Sequence, residues 1–170
     1  MIHPKRLTML SFLKKYLNFS EKINETEISL RPATPEDFDL TFTLKKEGAK
    51  RYIDKIWGWD EAEQIQFHTR EFIVEDIQII LHKNEVVGML DIDNQEDSFF
   101  VKGFYLTKKY QSRGIGKYVL EALKERADSE GKFVELEVFK KNPRAFKFYK
   151  RLGFKVISES ESHFRLNSDK

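Results

Sequence analysis

The chain has 170 residues, about the length of one domain, and is long enough to bury a substantial core. Its 30 lysines and arginines nearly balance its 28 aspartates and glutamates, and a formal charge of +2 argues against a dedicated nucleic-acid binder. Because the sequence contains no cysteine, a disulfide framework, a thiolate metal site and a covalent cysteine nucleophile are excluded.

Neither a metal site nor a membrane span is predicted. The four histidines lie far apart and match no metal-ligand motif: His3, His68, His82 and His163. No apolar run approaches the roughly 20 residues needed to span a bilayer, and the N-terminus lacks the uncharged core of a secretory signal. We therefore expect a cytoplasmic protein whose partners are small molecules or protein surfaces.

Residues 1–26 are predicted to be a basic amphipathic extension in front of a single domain of residues 27–168. Four cations precede its first acidic residue, and leucines recur at helical spacing at Leu7, Leu10, Leu13 and Leu17. A terminal helix docked on the domain and a frayed extension both fit this pattern. A membrane-surface or partner-binding role is the alternative.

Two helices are predicted after a first strand at residues 28–31. Thr34-Pro35-Glu36-Asp37 is typical of a helix start, and the helix is expected to run to about Gly48. Asp60 could cap a second helix that continues to about Phe72. The segment between the two helices, residues 48–60, is expected to be irregular.

The remaining elements alternate between strands and helices. Three antiparallel strands are predicted at 77–82, 86–93 and 98–106, followed by a helix at 114–128 and a strand at 133–139. A further helix is predicted from residue 142 onward, and a closing hairpin at 154–158 with 162–166. This order predicts an α/β (α+β) fold with a mixed, mostly antiparallel central sheet and helices on both faces.

A glycine-rich turn lies between the strand 98–106 and the helix 114–128. In Gln111-Ser112-Arg113-Gly114-Ile115-Gly116-Lys117, the glycines let backbone N–H groups approach an anion where a helix begins. Arg113 and Lys117 add positive charge. The turn therefore predicts a phosphate site, although an ordinary tight turn also uses glycine.

A second motif follows about thirty residues later and runs from Asn142 to Phe154. Gln-x-x-Gly-x-Gly followed by Asn-x-x-Ala-x-x-x-Tyr-x-x-x-Gly-Phe resembles the GCN5-related N-acetyltransferase superfamily, whose members move an acetyl group from acetyl-coenzyme A to an amine. The resemblance covers about residues 27–168. It implies acetyl-CoA as cosubstrate, no metal, and a sheet in which the strands ending near Leu106 and Phe139 splay apart.

The resemblance also implies which residues hold the coenzyme. Backbone amides of the turn would bind the pyrophosphate, which assigns Ser112, Arg113, Gly114, Ile115, Gly116 and Lys117, with Gln111 framing the turn. The pantetheine arm would meet the backbone of Tyr105, Leu106 and Thr107, with the Leu106 amide polarising the thioester carbonyl. Asn142 is either a helix N-cap or a pantetheine contact, and both roles can hold together.

Tyr149 matches the family position whose hydroxyl protonates the departing thiolate. Its helical spacing with neighbouring apolar residues also fits a core tyrosine. No general base is assigned, because Asp91, Asp93, Glu135, Glu137 or a water chain could each serve.

The resemblance implies that the connection between the first two helices roofs the acceptor site, so an aromatic cluster there is the predicted site of acceptor recognition. Aromatic walls with a carboxylate suit a cationic amine, and the candidates are Tyr52, Trp57, Trp59 and Asp60. Packing of the two tryptophans on the sheet is the alternative.

The function predicted from the sequence is acetyl transfer to a small primary amine or an exposed protein amino group, by direct attack in a ternary complex. A non-catalytic sensor that binds CoA or acyl-CoA is the alternative. A nucleotide-binding protein is the weakest interpretation, because the complete glycine motifs are missing. A homodimer is compatible with the sequence.

Overall fold

The computed structural model describes residues 27–168, so the predicted extension of residues 1–26 lies outside the described residues. Within them, the strands are β1 (Ile28–Pro32), β2 (Ile77–His82), β3 (Glu85–Asn94), β4 (Ser98–Leu106), β5 (Phe133–Phe139), β6 (Lys155–Glu159) and β7 (His163–Asn167). They form one sheet in the order β1-β2-β3-β4-β5-β7-β6. β4 and β5 are parallel, and the other neighbouring strands are antiparallel.

The α-helices of the described part are α1 (Phe38–Ile56), α2 (Glu61–Glu71), α3 (Ile115–Ser129) and α4 (Pro143–Arg151). α3 and α4 pack on the larger apolar cluster of the sheet, which contains Phe99 and Leu136. On the opposite face, α1 contributes Leu44 to a smaller cluster beside Ile77. The predicted mixed sheet with helices on both faces is confirmed, and so is the closing hairpin of β6 and β7.

The first helix is longer than the sequence predicts. The predicted helix end near Gly48 and the irregular segment after it are wrong up to residue 56, because α1 continues to Ile56. A Cβ atom at residue 48 would lie 2.4 Å from Cδ1 of Tyr105, so glycine is needed here for close packing of α1 on β4. The predicted cap of α2 is present: the Asp60 carboxylate accepts a hydrogen bond from the Glu63 amide at 2.9 Å.

β4 and β5 pair along only part of their length. Ser98–Val101 of β4 pair with Phe133–Leu136 of β5. Beyond this ladder, β4 continues to Leu106 and β5 to Phe139, bonded to their outer neighbours β3 and β7. The sheet therefore opens in its middle, as the resemblance implies.

A β-bulge in β4 lies where the two strands separate. Asp91 of β3 lies opposite Gly103, yet the next residue of β3 lies opposite Val101, so Lys102 is an extra residue in β4. An extra residue shifts the alternation of side chains between the two faces of a strand. The Tyr105 side chain consequently faces α1 and joins the smaller apolar cluster.

Candidate active site

A cavity of about 670 Å³ lies over the gap between β4 and β5. Its walls come from the second half of α1, the face of α4, the start of α3 and the turn that precedes α3. The predicted site residues that line it are Tyr52, Tyr105, Leu106, Gln111, Ser112, Gly114, Gly116, Lys117, Asn142 and Tyr149.

The turn before α3 forms an open end of the cavity. Ser112 has a φ of 59° and Gly114 a φ of 90°, so the chain passes twice through the left-handed region before the helix begins at Ile115. Gly114 occupies the N-cap position, and no side chain caps the helix. The first N–H groups of α3 therefore need a hydrogen-bond acceptor from outside the helix.

Two side-chain contacts hold this turn in place. The Gln111 side-chain amide donates to the Leu106 carbonyl at 2.9 Å, which ties the turn to the end of β4. The Arg144 guanidinium donates to the Ser112 hydroxyl at 2.9 Å, which ties it to α4. Lys117 lines the cavity, where its ammonium lies 3.6 Å from the carboxylate of Glu121.

Backbone directions at the end of β4 identify the amide that faces the gap. The Thr107 N–H donates to the Val87 carbonyl at 2.9 Å, and the Tyr105 carbonyl also points toward β3, where a Cβ on Gly88 would lie 2.2 Å from it. Because these directions alternate along a strand, the Leu106 N–H points away from β3 and into the gap.

Three of the predicted coenzyme-binding residues do not line the cavity: Thr107, Arg113 and Ile115. The Thr107 N–H is engaged with Val87, and its carbonyl accepts from the Tyr110 amide at 2.9 Å, so the predicted contact of Thr107 would use the second lone pair of this carbonyl and stays a prediction. The Ile115 side chain is buried in the core, and the Arg113 guanidinium lies 5.7 Å from the centre of the Tyr110 ring. For Arg113 and Ile115, only a backbone role stays a prediction.

Tyr149 combines burial with an accessible hydroxyl. The residue is 9% exposed and packs in the larger apolar cluster. Burial raises the pKa of the Tyr149 phenol above its ordinary value, and the nearby Tyr105 raises it further. Within residues 27–168 no protein group bonds this hydroxyl, so its proton is available to a ligand in the cavity. Both predicted features, the core position and the position at the cavity, are present.

Asn142 is the N-cap of α4. Its side-chain oxygen accepts a hydrogen bond from the Ala145 amide at 3.1 Å, which satisfies one N–H group of the first helical turn. The residue also lines the cavity. The cap role is therefore confirmed, while the contact with the pantetheine arm stays a prediction.

The predicted acceptor residues are divided between several environments. The Tyr52 ring lines the cavity and stacks on Phe139 of β5, with ring centres 5.7 Å apart. Trp57 is 62% exposed and borders a separate depression of about 450 Å³. The Trp59 indole donates to Glu61 at 2.7 Å, and Asp60 caps α2. A role of Trp57, Trp59 and Asp60 in acceptor recognition stays a prediction.

The four carboxylates considered as general bases have different surroundings. Asp91 is buried, forms an ion pair with Lys102 at 3.2 Å, and has its pKa raised to about 6 by burial. Glu135 is buried in an ion pair with Arg165, and Asp93 accepts a hydrogen bond from Gln95. Of the four, Glu137 lines the cavity, and its side chain is 43% exposed.

The geometry matches a known family. A sequence model described as the Acetyltransferase (GNAT) family matches residues 36–154, more than half of the chain. The chain belongs to this family. The matched range contains both motifs from which the resemblance was inferred.

Relatives of this GNAT chain include amine acetyltransferases. The spermine/spermidine N(1)-acetyltransferase of Bacillus subtilis (strain 168) is 31% identical over 71 residues, which cover 41% of this chain and 47% of the relative. A probable spermine N(1)-acetyltransferase of Bacillus subtilis subsp. natto (strain BEST195) is 32% identical over 71 residues, which again cover 41% of this chain and 47% of the relative. The match thus spans about half the length of these curated relatives.

Solved structures share the GNAT fold. The PaiA N-acetyltransferase of Thermoplasma acidophilum, in complex with coenzyme A, superposes with a TM-score of 0.66 at 21% identity, covering 84% of this chain and 99% of that one. The ribosomal-protein-S18-alanine N-acetyltransferase of Escherichia coli gives a TM-score of 0.62 at 14% identity, covering 82% and 92%.

Residues 27–168 contain neither a membrane-spanning helix nor a cluster of metal ligands. No helix there is long and apolar enough to cross a membrane. No group of three or more histidine, aspartate or glutamate side chains in the same range comes together in a way that could hold a metal ion.

Sequence reasoning on this GNAT chain missed part of the cavity wall. Arg51 lines the cavity, and no sequence signal pointed to it because its segment was predicted to be irregular. Phe148 and Leu152 also line the cavity, and their recurrence with Ala145 and Tyr149 at three and four residues is the signal that could have assigned them. The Tyr105 side chain was missed because the bulge in β4 reverses its direction.

Proposed function

We propose that the protein transfers the acetyl group of acetyl-CoA to a primary amine, by direct attack of the amine in a ternary complex. The observation that carries the proposal is the gap between β4 and β5, whose cavity joins an uncapped helix N-terminus to the hydroxyl of Tyr149. Membership of the Acetyltransferase (GNAT) family supports the same reaction.

The turn at 111–117 fits a phosphate-bearing ligand. Its residues of positive φ form a concave backbone, and the N–H groups at the start of α3 have no side-chain partner. The helix dipole and Lys117 add positive potential at the same place. A pyrophosphate bound here would satisfy amide donors that the protein leaves open.

Two protein groups in the gap suit the chemistry of acyl transfer. Acetyl-CoA, when bound, supplies an activated acetyl thioester. The Leu106 N–H is directed into the gap, where a fixed donor of this kind typically stabilises a developing oxyanion by about 3–4 kcal/mol. The Tyr149 phenol carries its proton at neutral pH, and burial raises its pKa further, so the hydroxyl is in the protonated form that a donor to the leaving thiolate needs.

The acceptor amine would reach the gap from the α1 side. Tyr52 and Phe139 form an aromatic wall there, and Glu137 on the same face of β5 is placed to accept the proton that the amine loses. We retain Trp57, Trp59 and Asp60 as outer contacts of the acceptor. Direct attack is favoured because the chain has no cysteine to carry the acyl group.

A primary amine is the acceptor class that the relatives' names share. One is named for spermine and spermidine and another for an alanine of a ribosomal protein, so both small amines and protein amino groups are included. We also propose a cytoplasmic location, which agrees with the absence of cysteine and therefore of any need for an oxidising compartment.

A screen of amines and peptides for thiol release from acetyl-CoA tests the proposal. Release that requires both the protein and an amine is expected, with the acetylated amine identified by mass spectrometry. Coenzyme A binding without transfer to any acceptor would support the alternative, a CoA-binding sensor. Failure to bind coenzyme A at all would contradict both.

A further inference from the structure

The Tyr105 ring is held between two glycines. A Cβ atom at Gly48 of α1 would lie 2.4 Å from Cδ1 of Tyr105, and one at Gly103 of β4 would lie 2.9 Å from Cε2. Either distance is shorter than carbon atoms in contact adopt. Helix, strand and ring therefore approach one another only because both positions lack a side chain, which fixes the ring on the α1 side of the gap.

The hydroxyl of this ring has no protein partner. Among the described residues no group hydrogen-bonds Tyr105 Oη, although the ring itself is largely buried. Tyr105 lines the cavity, as does Tyr149, and Tyr105 is close enough to raise the pKa of the Tyr149 phenol. Tyr149 packs with the apolar cluster under α3 and α4, whereas Tyr105 packs under α1. Two phenols therefore face the gap from opposite sides.

We propose that the Tyr105 hydroxyl is a positioning group for the acceptor, which accepts a hydrogen bond from an N–H of the amine and holds its nitrogen at the α1 side of the gap. This inference rests on the proposed function and assigns a residue to its acceptor half. The Tyr105 oxygen has the free acceptor capacity that the role needs.

A neutral phenol suits this role better than a carboxylate. Burial, with the nearby Asp91 charge, raises the pKa of Tyr105 to about 12, so the phenol stays uncharged across the range in which enzymes work. A carboxylate in the same place would favour the ammonium form of the acceptor, which has no lone pair for attack. A phenol can bind the amine without holding it in its unreactive form.

Substitution of Tyr105 by phenylalanine tests the assignment, because it keeps the ring between the glycines. We expect the amine's kcat/KM and its affinity for the protein–CoA complex each to fall about tenfold, as for the loss of one hydrogen bond. The affinity for coenzyme A, measured by calorimetry, should change less than about twofold. Tyr110→Phe is the matched control, because its hydroxyl bonds Glu85 outside the cavity and its loss should leave the amine parameters unchanged.

A second variant moves the ring and keeps the hydroxyl. In Gly48→Ala the new methyl group must displace the Tyr105 ring, so amine binding should fall although the phenol is still present. If the wild type acetylates the amine and folded Tyr105→Phe shows the same kcat/KM and the same affinity for the amine, this assignment is overturned and the proposed function is not. Equal losses of amine and coenzyme affinity would place Tyr105 in the coenzyme subsite and overturn it too. A wild type that acetylates no amine would contradict the proposed function and this assignment with it.

Discussion

At the residue scale, burial raises the pKa of the Tyr149 hydroxyl above its ordinary value, and one substitution isolates that group. Tyr149→Phe keeps the ring that packs against Phe148 and Phe154 and removes the hydroxyl alone. General acids typically contribute about 100-fold to 10,000-fold, so kcat should fall by a factor in that range. Single-turnover kinetics measure the chemical step, and calorimetry should show little change in coenzyme affinity. An unchanged rate of that step would reduce Tyr149 to a packing residue.

Asp37 gives a prediction of pH-dependent stability. Its carboxylate accepts hydrogen bonds from Arg31 at 2.6 and 2.8 Å and from the Thr34 amide at 2.9 Å, and the Arg31 contact above all lowers its pKa to about 2. Because the folded-state pKa is depressed, the stabilisation is fully present above about pH 4 and is lost as the pH falls through about 2. Asp37→Asn should therefore lower the free energy of unfolding by about 2 kcal/mol at pH 7.

Urea denaturation at several pH values measures this contribution. The difference between wild type and Asp37→Asn should close between about pH 4 and pH 2. Asp97→Asn is the control, since Asp97 is exposed on a turn and its side chain has no bond to the other described residues. A difference that is constant with pH would show that the stabilisation does not depend on the charge of Asp37.

At the element scale, the turn before α3 is the predicted anion site. Gly114→Glu puts a side chain on a residue with a φ of 90° and adds negative charge beside the uncapped amides. Coenzyme A affinity measured by calorimetry should fall at least about 100-fold, by loss of about 3 kcal/mol of interaction.

Gly131→Glu is the matched control for this change. Gly131 also has a positive φ, of 69°, and no atom lies within 4 Å of a Cβ built there, so the variant has similar backbone strain at the other end of α3. It should lose stability and keep coenzyme affinity. Equal effects of the two variants on affinity would mean that strain in α3, and not the anion site, explains the loss.

Elements were predictable from the sequence where local signals and tertiary contacts agree. The cap at Asp60, the proline start of α4 and the alternation in β5 each act within a few residues, and the structure contains all three. The length of α1 was not predictable, because Gly48 has the local signature of a helix end while its role is contact with Tyr105. The bulge at Lys102 escaped prediction for the same reason, since it depends on pairing with β3.

Residues of the candidate site were likewise predictable where a short local motif marks them. The turn residues and Tyr149 carry short motifs, so their positions at the cavity could be predicted. The contributions of Arg51, Phe139 and the Tyr105 ring depend on how far α1 extends and on where β4 and β5 separate. Those are properties of the folded sheet that no single segment encodes.

At the scale of the whole molecule, residues 27–168 form a seven-stranded sheet with two apolar clusters and the cavity. We therefore predict that deletion of residues 1–20 leaves coenzyme binding and turnover nearly intact, because every proposed site residue lies beyond Gly48. Steady-state kinetics of the truncated protein, with circular dichroism to show that it is folded, provide the measurement. A folded but inactive truncation would place residues 1–20 in the active site or in a catalytic assembly.

Direct acetyl transfer to an amine is tested with acetyl-CoA that is labelled in its acetyl group. The protein is incubated with labelled acetyl-CoA, first without and then with an amine found in the thiol-release screen, and the label is followed in the protein and in the amine. We predict no covalently labelled protein in either case, and labelled amine in equal amount to the thiol released. Bound acetyl-CoA that transfers no label to any amine, or label that accumulates on the protein, would contradict it.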